Sequence, residues 1–514
     1  MYVIKFQPLH DLPRKMSEFR RQHPVAAISR ALGLIRGNLI TILVLLFVGS
    51  QSGGLSLVAW IGGGAALLII SGVANWWRFQ FKVEDGLIHI KSGVFVRRNL
   101  YLTRDRIQVI DVTAGVVQRL FGLVRLDIQT AGSGSRAAAI EAITKEEARE
   151  INRLLRLDES DTEMEDPEHL FSDSEKKSEH TRFILPRKEL VIAASTSGRF
   201  GIALSFLGAI FSQAEPILSE MDFYERIIEY LPAQTDFMMI IMIIVIFIIF
   251  AWLLSFFGTV FMYGNFMLEV RERELVVSRG IFERKRVTIP YNRIQAFHVT
   301  DGLIRQPLGY ASLHLESAGY GDDEGTGSIV LFPLIKKKEI ESMVEKILPE
   351  YRAETVGIRP PRRALRRFIF RESVLILMIS AGLFFFLNLD LWIWALPVFA
   401  ILWGSLKYRD TALGWDGDRI LLRSRAISRT TAILRQKRIQ DISLSQSPFQ
   451  RFRDLCTVTV HVASGDHGKS FAVRDLELKD GHIFLKKMSK KGIKVSLNGH
   501  HDHSKSYVQL PGWV

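Results

Sequence analysis

The chain of 514 residues is 48% hydrophobic and 24% charged, and its mean hydropathy of +0.14 is low for a protein wholly within a membrane and high for a soluble one. Such a composition is typical of a chain of three or four units that lies about half in lipid and half in water. The single cysteine, Cys456, excludes an intramolecular disulfide and a multi-thiol metal site, and we expect a buried thiol. The net charge of +13 is compatible with a nucleic-acid partner or with an anionic membrane surface.

Apolar runs occur in three pairs and predict three transmembrane helical hairpins. The pairs occupy 31–77, 190–265 and 373–408, and most of their runs approach the 20 residues that cross a hydrocarbon core of about 30 Å. An N-terminal segment, 1–30, precedes the first pair, and an acidic connector, 213–236, lies inside the second. Because the first apolar run follows a long polar stretch, we expect no cleavable signal peptide.

Basic residues flank the hairpins, whereas the connector inside the second hairpin is acidic. An excess of Lys and Arg marks the cytoplasmic side, so both termini and all segments between the hairpins are predicted to be cytoplasmic. This distribution favours a membrane surface over nucleic acid as the partner of the positive charge. The strongest basic cluster, in the juxtamembrane segment 351–372, consists of Arg359, Arg362, Arg363, Arg366, Arg367 and Arg371. These arginines are candidates for contact with anionic lipid, although topological anchoring alone would also explain them.

The segments that follow the hairpins predict β-structure. Segments 78–157, 266–350 and 409–495 each show apolar residues at every second position and close on a helix with one apolar face. The predicted fold is therefore a membrane protein of the α+β class, in which each hairpin precedes a small β-barrel or sandwich with a C-terminal helix. Segment 158–181 predicts an acidic, disordered linker, and 496–514 forms a tail whose histidines we do not expect to bind metal.

An internal repeat connects the three β-rich units. Each contains the tripeptide Arg-Ile-Gln, and turn residues recur at fixed offsets from it, which is the mark of a duplicated module. The positions 13 residues before the repeat arginine hold Gly93, Gly280 and Arg425, and those 16 residues after it hold Gly122, Gly309 and Asp454. Because the third unit has lost both glycines, we expect its turns to have φ below zero or a changed conformation.

These motifs resemble a known family. The matching residues in the first unit are Gly93-Val94-Phe95, Arg106-Ile107-Gln108 and Gln118-Arg119-Leu120-Phe121-Gly122; their counterparts include Gly280-Ile281-Phe282, Arg293-Ile294-Gln295, Leu308-Gly309 and Gln450-Arg451. With the paired apolar runs, the pattern looks like the YdbS/YdbT-like bacterial pleckstrin-homology (PH) membrane proteins, formerly a domain of unknown function. The resemblance implies a PH-like fold and a bacterial inner-membrane location, and it implies no reaction.

The repeated Arg-x-Gln pair is the only polar constellation that recurs. One interpretation is a binding set for anionic lipid heads or for a partner's carboxylates. The other is structural, with each arginine folded back on carbonyl groups at a strand end. The candidate residues are Arg106, Gln108, Arg293, Gln295, Arg438 and Gln440.

No catalytic motif accompanies these residues. The sequence has no Gly-rich phosphate loop, Gly-x-Ser-x-Gly or His-Glu-x-x-His, so we expect neither an enzyme, a cofactor nor a metal. The favoured function is a non-catalytic inner-membrane scaffold that binds membrane lipids or a membrane or cytoplasmic protein, with a related PH-like membrane protein among the candidates and nucleic acid excluded. The alternatives are an accessory of lipid handling, export or envelope defence, and a membrane-surface enzyme.

Overall fold

The computed structural model describes residues 18–37, 54–84, 86–94, 96–130, 138–155, 181–209, 237–318, 328–352, 357–387, 391–464, 468–489 and 494–498. The predicted linker, the acidic connector, the tail and the first apolar run of the first pair lie mostly or wholly outside these residues. The helices are α1 Val25–Gly37, α2 Gly54–Arg78, α3 Val116–Leu120, α4 Lys145–Leu155, α5 Arg187–Ser195, α6 Phe200–Ala209, α7 Phe237–Tyr263, α8 Lys337–Ile347, α9 Arg362–Leu387, α10 Ala395–Arg409, α11 Pro448–Arg451 and α12 Leu478–Ser489.

The strands follow the repeat. The first unit and the segment before it hold β1 Arg20–Arg21, β2 Gln80–Glu84, β3 Leu87–Ser92, β4 Arg98–Thr103, β5 Ile107–Ala114, β6 Leu123–Thr130 and β7 Ala138–Thr144. The second holds β8 Thr181–Ile184, β9 Met267–Val270, β10 Glu274–Arg279, β11 Arg284–Pro290, β12 Ile294–Asp301, β13 Tyr310–Ser317 and β14 Ser328–Lys336. The third holds β15 Ala412–Asp416, β16 Arg419–Arg425, β17 Arg429–Arg435, β18 Ile439–Ser445, β19 Leu455–Val462, β20 Lys469–Glu477 and β21 Lys494–Asn498.

Each unit divides its strands between two sheets at the Arg-Ile-Gln tripeptide. The three strands before it form the first half-sheet, and the three strands after it form the second half-sheet. In the first unit, Phe81 and Ile88 of the first half-sheet meet Leu126 and Ile140 of the second, and Ile151 of the closing helix covers them. All five side chains are at most 1% exposed, and burying each contributes roughly 1.5–3 kcal/mol. The arrangement is that of a two-layered sandwich, and closure of each unit into a barrel is not shown.

The sheets run from one unit into the next. The seven-stranded sheet has the order β7-β6-β5-β11-β10-β9-β8, and the six-stranded sheet has the order β14-β13-β12-β17-β16-β15. The second half-sheet of one unit is thus continued by the first half-sheet of the following unit, through the antiparallel pairs β5–β11 and β12–β17. We call these pairs seam 1 and seam 2. They join the three units head to tail.

The two ends of this array differ. The first half-sheet of the first unit forms a four-stranded sheet in the order β1-β2-β3-β4, so β4 lies at an edge. At the other end, β18 occupies the position that β5 and β12 occupy in the seams, and it pairs in parallel with the late strand β21. The chain therefore covers its last seam-forming strand itself.

Three pairs of helices accompany the units, and the members of each pair pack together: α1 with α2, α5 with α7, and α9 with α10. In the described residues, Met242–Tyr263 and Arg362–Phe385 are long and apolar enough to cross a membrane. The bent pair α5–α6 would supply a third span if its helices, which meet at 52°, cross as one. The six spans expected from the sequence are thus shown only in part.

The turns at the repeat positions correct one expectation. Gly93 and Gly280 have φ of 100° and 107°, and a Cβ there would lie 1.9 Å from the carbonyl oxygen of Val96 or Glu283. Arg425, at the same place in the third unit, does not have positive φ, so that turn is reshaped as expected. Asp454 keeps a φ of 49° close to those of the glycines it replaces, so the expectation is wrong at that turn. The left-handed region tolerates Asp better than most side chains, which explains the difference.

Candidate binding surfaces and seams between units

Each Arg-Ile-Gln tripeptide lies at the corner where a unit passes from its first half-sheet to its second. The arginine ends a short 3-10 turn, which spans Arg104–Arg106, Tyr291–Arg293 and Gln436–Arg438 in the three units. The glutamine falls at a register break, which lies between Ile107 and Val109, between Ile294 and Ala296, and between Ile439 and Asp441. Such a β-bulge bends the strand, so the corner itself gives the tripeptide a structural reason to recur.

Among the described residues, the arginine side chains at these corners form no hydrogen bond to a carbonyl group. Arg106 is exposed and Arg293 and Arg438 are half-buried, and within the described part of the chain none of the three guanidinium groups forms a hydrogen bond or an ion pair. The bond that closes the corner of the second unit comes instead from Nε2 of Gln295, which donates to the Arg293 carbonyl at 3.1 Å. Gln440 is exposed, and the side chain of Gln108 lies outside the description. The three guanidinium groups are thus open to a ligand, and binding by them stays a prediction.

The six juxtamembrane arginines separate into two groups. Arg367 and Arg371, on α9, pair with Asp475 at 3.0 and 3.2 Å, and Arg363 pairs with Glu477 at 3.3 Å. The others, Arg359, Arg362 and Arg366, are exposed and form no ion pair among the described residues. The first group connects the third unit to α9, and contact of these arginines with lipid headgroups stays a prediction.

Asp475 is the centre of this attachment. It is fully buried, has a φ of 57°, and accepts a further hydrogen bond of 2.8 Å from Nε2 of Gln450. Gln450 belongs to α11 and closes a capping box with Ser447. A buried carboxylate is stable only when it is paired and hydrogen-bonded, and Asp475 meets both conditions.

The position of Gln450 holds a polar anchor in the other units too. In the second unit it is Arg305, whose guanidinium donates to the carbonyl of Ala193 at 3.0 Å and to Oγ1 of Thr196 at 3.0 Å. Both acceptors lie at the end of α5. In the first unit it is Gln118, which is buried and donates to the carbonyl of Glu141 at 3.4 Å. In the second and third units, therefore, this polar residue after the seam strand ties the unit to its own helix pair.

Seam 2 carries a buried network of charges. Arg429 of β17 donates to Asp301 of β12 at 2.5 Å and to Asp410, at the end of α10, at 3.4 Å. Arg425 pairs with Asp410 at 2.5 Å and reaches Oε1 of Gln306 in the second unit. The network joins two units and the end of helix α10, and the arginine that replaced a turn glycine is one of its members.

Seam 1 has a similar but weaker set of contacts. Lys285 of β11 lies 3.9 Å from Asp111 of β5, with antiparallel pairing from Arg284↔Ala114 to Val287↔Asp111. Beside it, Arg119 of the first unit donates to the carbonyl of Ile281 at 2.6 Å. The N–H of Ile281 donates in turn to Phe261 of α7, so the contact reaches the end of a membrane span.

A buried polar cluster lies where the second and third units meet. Glu316 is fully buried and accepts hydrogen bonds from Ser328 and, at 2.5 Å, from Ser464 of the third unit. His298 lies 3.6 Å from Glu316 and stacks on His314 with 5.0 Å between ring centroids. Burial raises the pKa of Glu316, lowers that of His298 well below 6.5 and lowers that of His314 to about 4. The two imidazoles are therefore neutral in the folded protein at neutral pH.

Large apolar side chains are exposed on the short segments that follow the seam strands. Leu120 is 78% exposed in the first unit, Ile304 60% in the second, and Phe449 and Phe452 are 73% and 85% exposed in the third. In the second unit this segment contacts the end of α5 through Arg305, and in the third unit it contacts Asp475, which pairs with Arg367 and Arg371 of α9. An apolar patch in that place is typical of a membrane-facing surface.

Comparison with known proteins identifies the units. The profile of the bacterial PH domain family matches residues 29–158, 216–351 and 373–491, which is more than half of the chain. The chain belongs to the bacterial PH domain family. It is also 36% identical over 493 residues to the UPF0699 transmembrane protein YdbT of Bacillus subtilis (strain 168), an alignment that covers 92% of this chain and 98% of that protein. The YdbS/YdbT-like resemblance is confirmed, and the chain is a transmembrane protein with repeated bacterial PH domains.

Neither the pairing of strands between units nor the polar anchor residues were predicted from the sequence. The anchor position recurs 12 residues after the repeat arginine, and Gln118 and Gln450 already belonged to the matching motif. Their burial has no signal in the sequence, because it depends on helices that are distant along the chain. Within the described residues, no group of three or more His, Cys, Asp or Glu could hold a metal ion.

Proposed function

We propose that the protein is a non-catalytic scaffold of the bacterial inner membrane, which holds three cytoplasmic PH units in a fixed array and binds protein or lipid partners through them. The observation that carries the proposal is the continuity of the sheets across both seams. Flexible tethers would let three units search independently, whereas shared sheets fix their order and spacing.

Fixed spacing favours binding of a partner at several points at once. When weak sites are linked, the second contact becomes intramolecular, and avidity rises without a new kind of contact. The corner arginines Arg106, Arg293 and Arg438 occur once in each unit, carry positive charge and form no internal ion pair among the described residues. Carboxylates or phosphates at a matching spacing are the ligands that such guanidinium groups bind.

The proposal includes the membrane topology expected from the sequence. Six spans in three hairpins would place both termini and all three units in the cytoplasm, because basic residues flank the hairpins on that side. Packing of α1 with α2, of α5 with α7 and of α9 with α10 supports the three pairs. Accessibility labelling of single cysteines placed in 1–17 and in 499–514 tests the orientation. Labelling of intact cells from outside at either site would contradict it.

The test is crosslinking in native membranes, with mass spectrometry of what the tagged protein captures. We expect reproducible capture of a protein, and we expect the variant Arg106→Ala/Arg293→Ala/Arg438→Ala to lose most of it. A matched control, Lys338→Ala/Lys346→Ala/Lys486→Ala, removes the same charge from exposed positions on the closing helices α8 and α12. Equal capture by both variants would contradict a binding role for the corners, and absence of any captured protein would contradict the scaffold.

Lipid binding is a second candidate, and the exposed apolar groups of α3 and α11 favour it. With Arg359, Arg362 and Arg366 they would form a surface with apolar and basic parts beside the spans, which suits an anionic leaflet. Enrichment of anionic lipid in the crosslinked material, without a protein, would support this function over the protein scaffold.

A further inference from the structure

Strand β4, at the edge of the first sheet, resembles the strands β11 and β17 of the two seams but has no seam strand beside it among the described residues. By position relative to Arg-Ile-Gln, β4 is the counterpart of β11 and β17. Those two strands each pair on both sides, with a strand of their own unit and with the seam strand of the preceding unit. Among the strands that the structure describes, β4 pairs only with β3. Its outer backbone groups form an open template for another strand.

The side chains of β4 show the same difference. Tyr101 is 56% exposed, whereas Ile433, at the equivalent place in seam 2, is 8% exposed. Leu100 is half-buried, whereas Val287, its counterpart in seam 1, is 2% exposed. Leu100 and Tyr101 of β4 are thus more exposed than the residues at equivalent places in the seams.

The charges at the start of these strands indicate what would cover β4. In seam 2 the first residue, Arg429, faces Asp301 at the end of the seam strand, and in seam 1 Lys285 approaches Asp111. The equivalent positions beside β4 hold Arg97 and Arg98, which are both exposed. A complementary strand would therefore run antiparallel to β4 and carry an acid in its second half.

A second copy of this chain is a poor source of that strand. Its seam strands β5 and β12 are occupied within the array, and β18 pairs with β21. We infer that β4 binds, by strand addition, the seam strand of a bacterial PH unit that belongs to a different protein. This inference rests on the proposed scaffold function and names the class of its partner. The partner would be a PH unit whose strand after the Arg-Ile-Gln tripeptide has a free edge. That strand would pair with β4 and extend the sheet β1-β2-β3-β4.

Site-specific photocrosslinking in full-length protein in native membranes tests the inference. A photoreactive residue at Asn99, which is exposed on β4, should crosslink to a different protein, and the linked peptide should lie in the seam strand of a bacterial PH unit. The variant Arg97→Glu/Arg98→Glu should lower that product at least tenfold. As a matched control, the same photoreactive residue at Thr431 of β17 should crosslink within the chain, to β12.

The outcomes separate this inference from the scaffold proposal. If the Asn99 position gives no intermolecular product while general crosslinking still captures a protein, the scaffold stands and the strand-addition inference is overturned. A product with a second copy of this chain, or with a partner segment outside a PH unit, overturns it as well. Failure of both experiments to capture any protein overturns both proposals.

Discussion

At the scale of residues, the molecule depends on buried charges whose partners lie in another unit or in a membrane helix. Asp301 and Asp475 are buried carboxylates that pair with Arg429 of the next unit and with Arg367 of α9. Asp410, buried at the end of α10, pairs with Arg425. Removing one member of such a pair leaves an uncompensated charge, which costs far more than the loss of an exposed pair.

Arg429 provides a test of this difference. Arg429→Ala would leave Asp301 with Lys337 at 3.5 Å and Asp410 with Arg425. Because each carboxylate keeps one cation and Arg429 is 23% exposed, we expect a loss of about 2 kcal/mol in the free energy of unfolding, less than for a fully buried pair that loses its partner. The control Arg153→Ala removes the exposed pair with Glu150 and should cost less than about 0.5 kcal/mol. Denaturant unfolding in detergent measures both. Equal losses would show that the network does not stabilise seam 2.

The histidines near Glu316 predict a dependence on pH. Below pH 6.5 the unfolded chain protonates its histidines, whereas the folded chain keeps His314 neutral down to about pH 4, so this residue makes stability fall as the pH falls. Glu316, whose pKa is raised by burial, acts in the opposite sense. We therefore expect His314→Gln to lose less unfolding temperature between pH 7.5 and 5.0 than the wild type. The exposed His482→Gln is the control, and identical pH slopes for all three proteins would contradict the prediction.

The turn glycines give a third prediction. Gly280→Arg introduces the residue of the third unit at a φ of 107°, where a Cβ would meet the carbonyl oxygen of Glu283 at 1.9 Å, so we expect a loss of roughly 1–3 kcal/mol or more. Gly309→Asp also introduces the third unit's residue, but at a φ of 74° and with no atom within 4 Å of the new Cβ. It should cost about 1 kcal/mol, at the lower end of the range for positive φ, because Asp tolerates the left-handed region better than most side chains. Thermal unfolding of the two variants measures which one is destabilised more. A greater loss for Gly309→Asp than for Gly280→Arg would contradict the prediction.

At the scale of elements, α3 and α11 combine a buried polar anchor with exposed apolar residues. In the third unit the anchor, Gln450, faces Asp475, whereas Phe449 and Phe452 point outwards. Because Asp475 in turn pairs with Arg367 and Arg371 of α9, we expect the apolar side of the element to contact lipid.

A spin label at Phe452→Cys in a Cys456→Ala background should report a lipid environment in nanodiscs. We expect high collision rates with oxygen and low rates with a water-soluble nickel chelate. A label at Lys338→Cys, an exposed position among charged residues of α8, should show the opposite pattern. The same aqueous pattern at both sites would contradict membrane contact by α11.

The sequence predicted much at this scale. The period-two pattern indicated the strands. Thr144-Lys145-Glu146-Glu147 has the sequence of a capping box, and its two hydrogen bonds, each of 3.2 Å, are formed. The buried thiol of Cys456 is confirmed as well. Periodicity describes which face of a strand is buried, but it says nothing about what pairs along its edge. For that reason the seams could not be predicted from β5 and β12 themselves.

At the scale of the whole molecule, three duplicated units became one body because each second half-sheet accepts the next unit. The repeat predicted three separate domains, and the shared sheets make them a head-to-tail series with one covered end and one open end. The sequence did not indicate this joining, because the same Arg-Ile-Gln tripeptide lies at the corner of a unit and at the start of the strand that pairs with the next unit.

Hydrogen exchange of the full-length protein in nanodiscs tests the central claim, that the units share continuous sheets, most directly. If the seams exist, amides of residues 284–287 and 429–434 are held between two strands and should exchange slowly, whereas those of Arg98–Thr103, at the open edge, should exchange much faster in the purified protein. If all three strands exchange equally fast, the units are not joined through their sheets, and the fixed array is contradicted.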